Sequence, residues 1–146
     1  MRIVIQRVKK AQVVVEERIV GSIAKGALVL LGVHKEDDPS KIPWLSQKLL
    51  HLRMFSDEHG KMNLSLMDIR GEILIVSQFT LYAQCSEGRR PDFFSAAAPS
   101  LAETLYQQFI TAVKSSDLKV ETGIFGADME VSLINDGPVT FIIDGK

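Results

Sequence analysis

Only two stretches of this chain have the spacing of an amphipathic helix. In the first, Trp44, Leu45, Lys48, Leu49 and Leu52 recur at helical intervals. In the second, Ala102, Leu105, Tyr106, Phe109 and Val113 form an i, i+3, i+4, i+7 apolar stripe. Nearly everything else reads as short strands and turns, which is too few helices for a doubly wound sheet. The pattern predicts an α+β fold: a curled, mixed or antiparallel, barrel-like sheet with two main helices packed against it. There is no repeat, low-complexity tract or linker, so residues 1–146 are read as a single domain.

Arg2 to Val8 alternates apolar Ile3, Ile5 and Val8 with Arg2, Gln6 and Arg7, as a half-buried strand does. Lys9-Lys10-Ala11 is expected to turn before a second strand, Gln12 to Glu16. A further short strand and the apolar run Ala27 to Val33 complete a strand-rich N-terminal third. Asp37-Asp38-Pro39-Ser40 is a helix-start signal, with the helix ending near Arg53. Met54-Phe55 can begin a strand, and Asn63 to Arg70 reads as irregular. Ala83 to Phe94 is a loop broken by Gly88 and Pro91, and Pro99-Ser100 opens the second helix. After a strand at Lys119 to Glu121 and a turn through Ala127, Met129, Val131 and Leu133 alternate along another strand. Asn135-Asp136-Gly137-Pro138 interrupts it before a last strand, Val139 to Ile143.

The stretch with the most chemistry is Gly71 to Gln84. Glu72 to Val76 is a buried strand by composition, and Ser77, Gln78, Phe79, Thr80, Leu81 and Tyr82 follow directly. One reading is an amphipathic strand with Phe79 and Leu81 inward. The other is a strand end presenting donors to a ligand. Gly88-Arg89-Arg90-Pro91 is either a solvated loop or a phosphate contact. Asn135-Asp136-Gly137-Pro138 is either a hairpin turn or a place where proline leaves carbonyls free for a ligand.

Other chemistries lack their residues. There is no Gly-rich phosphate loop, nucleophile elbow, HExxH or paired cysteine, and no ligand cluster for a metal. His34, His51 and His59 are read as structural or surface residues and Cys85 as an unreactive thiol. With 17 Lys and Arg against 18 Asp and Glu, the chain is not built to wrap long duplex nucleic acid, though it can grip one end of an RNA. A single cysteine excludes an intrachain disulfide and suits a reducing cytoplasm. MRIVIQRVKK lacks the apolar core of a secretory signal, and Gly26 to Val33 is too short to span a bilayer.

Ser77-Gln78-Phe79-Thr80-Leu81 and Asn135-Asp136-Gly137-Pro138-Val139-Thr140 resemble the two signature motifs of D-aminoacyl-tRNA deacylases. MRIVIQRV, the GRRPDF loop and the GIFGADM segment are similar to the same family, so the resemblance spans essentially the whole chain. It implies hydrolysis of the ester joining a D-amino acid, or glycine, to the terminal adenosine of tRNA, with L-aminoacyl esters rejected. It implies a homodimer in which a cis Gly137-Pro138 peptide enters the partner's active site. It implies that Ser77, Gln78, Phe79 and Thr80 form the catalytic segment, with Phe79 and Thr80 N–H groups as oxyanion donors. Thr80 as nucleophile is the alternative, weakened by the lack of a visible base. Leu81, Gly137, Pro138, Phe125, Met129, Arg89 and Arg90 are implied in substrate binding. Tyr82 and Ala102 are more distant candidates. The partners implied are the aminoacyl-tRNA 3′ end and a second copy, without membrane, DNA, metal or cofactor, and the location is cytoplasmic. A tRNA-end binder without turnover and a small-molecule hydrolase or scaffold are the readings from other classes.

Overall fold

The computed structural model describes residues 1–146. In chain order the elements are β1 (Arg2–Val15), β2 (Arg18–Ile23), β3 (Gly26–Gly32), α1 (Lys41–His51), β4 (Phe55–Ser56), β5 (Met62–Leu64), α2 (Leu66–Ile69), β6 (Glu72–Ser77), a single 3-10 turn (Phe79–Tyr82), α3 (Pro99–Lys114), β7 (Val120–Thr122) and β8 (Glu130–Asp144). The main sheet runs β2-β1-β3-β6-β7, with β8 on the other edge of β1. Pairings of β1 with β2, β3 and β8 are antiparallel, whereas β3–β6 and β6–β7 are parallel. Lys119 Nζ donates to the Ser22 carbonyl at 3.1 Å, tying β2 towards β7 and nearly closing the sheet into a barrel. This is the α+β, curled, mixed sheet that the scarcity of helical stripes predicts. No helix is long and apolar enough to cross a membrane.

The 14-residue β1 organises the sheet because its halves do different work. Arg2 to Val8 pairs with β3, Ala11 to Val15 pairs with β2, and β8 follows along the opposite edge. Ile3 and Ile5 belong to the core between sheet and helices, while Val8, Ala11 and Val13 belong to the barrel interior. Odd-numbered residues therefore change layer between Ile5 and Ala11. A strand keeps its faces only while its period of two holds, and the β1–β8 register shifts between Gln6 and Val8 and again between Val8 and Lys10. Lys9-Lys10 is thus a bulged continuation with both side chains exposed, not the turn expected.

β8 makes the same change. Val131 and Leu133 pack on the barrel interior, and Phe141 and Ile143 pack on the helix-side core. Between them, Asn135-Asp136-Gly137-Pro138 continues the strand, correcting the expected interruption or hairpin. Asn135 replaces the missing ladder bonds with its own side chain: Oδ1 accepts the Val139 N–H at 2.7 Å and Nδ2 donates to Thr140 Oγ1 at 3.2 Å.

Both main helices form where expected. Leu45, Leu49 and Leu50 of α1 and Ala102, Leu105, Tyr106, Phe109, Ile110 and Val113 of α3 are buried. Pro99 occupies the first turn of α3, where its absent N–H costs nothing. The Asp37-Asp38-Pro39-Ser40 signal lies just before α1, where Asp38 Oδ1 accepts the Ser40 N–H at 2.7 Å. The segment read as irregular contains α2, held by a reciprocal Ser65–Asp68 capping box.

The barrel interior rests on seven buried residues, all apolar, so removing one leaves a void that little can fill. Leu74→Ala should lower the unfolding free energy by about 2–5 kcal/mol. In urea titrations this should appear as an earlier midpoint with an unchanged m-value.

Candidate active site

β6 ends beside the end of β3, with Leu31 opposite Ser77 and the Gln78 N–H donating to the Leu31 carbonyl at 2.8 Å. The chain then closes into the 3-10 turn. Gly32 permits this, since a Cβ there would stand 3.0 Å from Leu81 Cβ and 3.1 Å from the Gln78 carbonyl oxygen. Arg2 holds the far side of the turn. Its guanidinium donates to Asp144 at 2.7 and 3.2 Å, reaches the Leu81 carbonyl at 3.3 Å, and lies 5.3 Å from the Tyr82 ring centroid. β6 therefore ends at Ser77 instead of continuing as the amphipathic strand, and Phe79 is exposed rather than inward.

A helical turn leaves its first N–H groups without an intrahelical acceptor. Here the N–H of Leu81 returns to the Gln78 carbonyl, but those of Phe79 and Thr80 donate to no protein acceptor. Thr80 Oγ1 accepts from the Gln78 side-chain amide. No histidine, lysine or carboxylate is hydrogen-bonded to Ser77, Gln78 or Thr80. Burial pushes the Tyr82 phenol well above its ordinary range and the Tyr106 phenol up to about 12, so neither serves as a base near neutrality.

The turn borders an open cleft of about 1040 Å³. Leu31, Val33, Val76 and Val131 contribute apolar lining, and Phe79 and Phe93 pair at 5.0 Å between ring centroids. Ala96 to Pro99 and Ala102 bring the start of α3. Phe125, Gly126, Ala127, Asp128 and Met129 bring the segment between β7 and β8. Phe125 leans on Tyr106 at 5.8 Å, and the Tyr106 hydroxyl is fixed by the Ile75 carbonyl at 2.9 Å. Met129 sits over Gly123, where a Cβ would come within 2.5 Å of its sulfur. The result is a largely apolar slot with a few polar groups at one end, the usual chemistry of a small-ligand site. No group of three or more His, Cys, Asp or Glu side chains is gathered as for a metal.

Of the residues singled out in the sequence, Ser77, Gln78, Phe79, Phe125 and Met129 meet in this cleft. Ala102 also lines it. Thr80 adjoins it through Gln78 but is exposed, and Leu81 packs on Gly32. Arg89 and Arg90 lie in an exposed loop closed by two Gln84–Asp92 backbone bonds of 2.7 and 2.9 Å. Gly137 and Pro138 do not line the cleft of their own chain. Their peptide bond is cis, both residues are exposed, and they bulge from β8.

Arg7 supports that bulge, although the sequence groups it with the polar residues Arg2 and Gln6. It is 9% exposed, its Nε donates to the Asp136 carbonyl and its Nη1 to the Met54 carbonyl, both at 2.7 Å. Period-two alternation in fact places Arg7 on the buried face with Ile3 and Ile5, and only its charge groups it with Arg2 and Gln6. The Ala96–Ala98 wall was also missed, its small side chains carrying no motif, and Asp128 was not singled out although it lies in the GIFGADM segment.

Set beside known proteins, residues 4–144 match the family model described as D-Tyr-tRNA(Tyr) deacylase. A D-aminoacyl-tRNA deacylase of Thermosipho africanus (strain TCF52B) is 59% identical over 146 residues, covering 100% of this chain and 98% of that protein. One from Desulfatibacillum aliphaticivorans is 55% identical, with 100% of both chains covered. Among solved structures, one described as "c-Myc DNA Unwinding Element Binding Protein" superposes with a TM-score of 0.92 at 40% identity, covering 100% of this chain and 99% of that one. Another, from a "Structural Analysis of a probable eukaryotic D-amino acid tRNA deacylase", gives 0.85 at 19% identity over 97% of each chain, a likeness of fold.

Proposed function

The chain belongs to the D-Tyr-tRNA(Tyr) deacylase family, whose members are hydrolases, and on that premise we propose that it cleaves the ester of D-aminoacyl-tRNA to free D-amino acid and tRNA. The observation that supports this most is the pair of unengaged Phe79 and Thr80 N–H groups beside an apolar cleft. Water attacks the ester carbonyl carbon, and the carbonyl oxygen becomes an oxyanion. Phe79 and Thr80 N–H groups hold that oxyanion. Collapse of the tetrahedral intermediate expels the 3′ oxygen of the terminal ribose, which takes a proton, and releases the D-amino acid.

No protein base adjoins the reacting segment, so the neighbouring 2′-hydroxyl of the RNA positions the attacking water. Ser77 and Gln78 hold the turn and contact the terminal nucleotide, with Leu81 as its inner packing residue. Phe125 and Met129 take the adenine face in the apolar slot. Arg89 and Arg90 meet phosphates near the acceptor end, where their charge makes KM salt-dependent.

The chiral filter in this reading is Gly137-Pro138 of a second copy, reaching the cleft that its own chain leaves open. β8 has no strand partner beyond β1, and Ile134 and Ile142 on it are 47% and 68% exposed, which suits a face covered in a homodimer. The carbonyls of this segment accept hydrogen bonds from the substrate's α-amino group, and an L side chain is driven into backbone. Glycine has no side chain to clash, so glycyl-tRNA is also cleaved. The work belongs in the cytoplasm, where aminoacyl-tRNA is found.

Thr80→Ala should keep kcat within about tenfold, because a nucleophile without a base contributes little. Rapid quenching and mass spectrometry should find no aminoacyl adduct; a covalent ester on Thr80 would reinstate it as nucleophile.

Wild type should hydrolyse D-Tyr-tRNA and Gly-tRNA and spare L-Tyr-tRNA. Gly137 has φ +145°, and a Cβ there would lie 2.7 Å from Val139 Cγ2 and 3.0 Å from Arg7 Nη2. Gly137→Ala should therefore displace the filter and lose activity on both substrates while a folded β-sheet persists by circular dichroism. A variant that gained L-Tyr-tRNA hydrolysis while keeping D-Tyr, or a wild type that cleaved L-Tyr-tRNA readily, would place the filter elsewhere.

A further inference from the structure

One exposed aromatic side chain stands on the cleft rim with no role in the ester hydrolysis. Phe94 is 76% exposed, the most of any large hydrophobic residue in the chain. It lies on the rim of the cleft, between the lining residues Phe93 and Ala96. Phe93 turns inward to Phe79, whereas Phe94 turns outward beneath Lys35, whose Nζ stands 3.5 Å from the ring centroid. The backbone that carries the ring is also tied. Asp92 Oδ1 accepts the Phe94 N–H at 2.7 Å, and the Lys35 N–H donates to the Ser95 carbonyl at 3.0 Å. An exposed aromatic ring carried on a tied backbone with a cation over its face is a surface that a flat ligand can use.

Resting on the deacylase reading, we propose that Phe94 and Lys35 form a stacking platform for the unpaired nucleotide preceding the terminal adenosine of the substrate RNA. The occupant follows from continuity. An adenosine seated in the cleft leaves the strand by its 5′ phosphate, and the tRNA acceptor end is single-stranded there. Unpaired bases stack on aromatic side chains, and a nearby ammonium meets the phosphate between them. Glu36 and Asp92 lie close in sequence, but the Asp92 carboxylate is engaged with backbone, and Lys35 is the cation on the ring.

The test compares two hydrolysis-resistant ligands by calorimetric titration: amide-linked D-tyrosyl-adenosine and the same group on a cytidyl-cytidyl-adenosine trinucleotide. Wild type should bind the trinucleotide about tenfold more tightly, the scale of one base–aromatic stack. Phe94→Ala should lose most of that gain without changing affinity for the adenosine ligand, and Phe94→Trp should retain it. Lys35→Met should lose part of the gain. Equal affinities in wild type, an undiminished gain in Phe94→Ala, or an equal loss on both ligands would overturn the platform. So would dissociation of Phe94→Ala into monomers on sedimentation, which would make the ring a contact between copies. Failure of wild type to bind either ligand would instead refute the deacylase reading, and this inference with it.

Discussion

The fold depends on a change of layer that β1 and β8 make together. Strand pairing normally commits every second side chain to one face for the length of the ladder. These two long strands break that commitment at the same level, so one pair serves two cores: helix-side packing at Ile3, Ile5, Phe141 and Ile143, and barrel interior at Val8, Val13, Val131 and Leu133. The extra backbone at the crossing has to go somewhere, and on β8 it emerges as the exposed Gly137-Pro138 bulge. Arg7 secures it by spending its fork on two main-chain carbonyls, from Asp136 and Met54. A buried guanidinium is tolerable only when its donors are met, and here that requirement fixes the bulge.

The same economy governs the cleft. In the proposed reaction its equipment is backbone: two N–H groups freed where β6 yields to a 3-10 turn, with Gly32 making room and Arg2 holding the turn's carbonyl side. Donors on main chain are preorganised and need no change of protonation, and no carboxylate or histidine is hydrogen-bonded to the turn that carries them. Chiral discrimination suits backbone too. Enantiomers carry the same groups, so only a rigid arrangement around the α-carbon separates them. That makes a secured bulge a better filter than mobile side chains.

Much of this was legible in the sequence. The two apolar stripes locate both helices, and that of α3 is buried at every position, whereas in α1 only Leu45 and Leu49 of the stripe are buried and Lys48 is exposed. Ser77-Gln78-Phe79-Thr80 stands out because a buried strand has no use for that polar run, though from residues alone it pointed only to a ligand site at a strand end. The motif resemblance carried the rest. Lys9-Lys10 and Asn135-Asp136-Gly137 were misread because bulges and turns draw on the same polar and glycine composition, and only the partner strand's register tells them apart. Arg7 was grouped with the polar positions for a different reason, its charge, although alternation puts it on the face of Ile3 and Ile5. Phe79 was one of two alternatives, and a 3-10 turn after β6 has no period-two signal to separate them.

In the proposed reaction each cleft is completed by the Gly137-Pro138 segment of another copy. Subunit mixing tests it directly. Gly137→Ala keeps the cleft but not the filter, and Ala98→Trp fills the cleft but keeps the filter. Each variant alone should be inactive on D-Tyr-tRNA. When they are unfolded together and refolded, half of the dimers are mixed and each mixed dimer regains one of two sites, so about a quarter of wild-type activity should return. No recovery, with mixed dimers confirmed by native mass spectrometry, would mean that the segment serves its own chain's cleft or none, and would contradict the account.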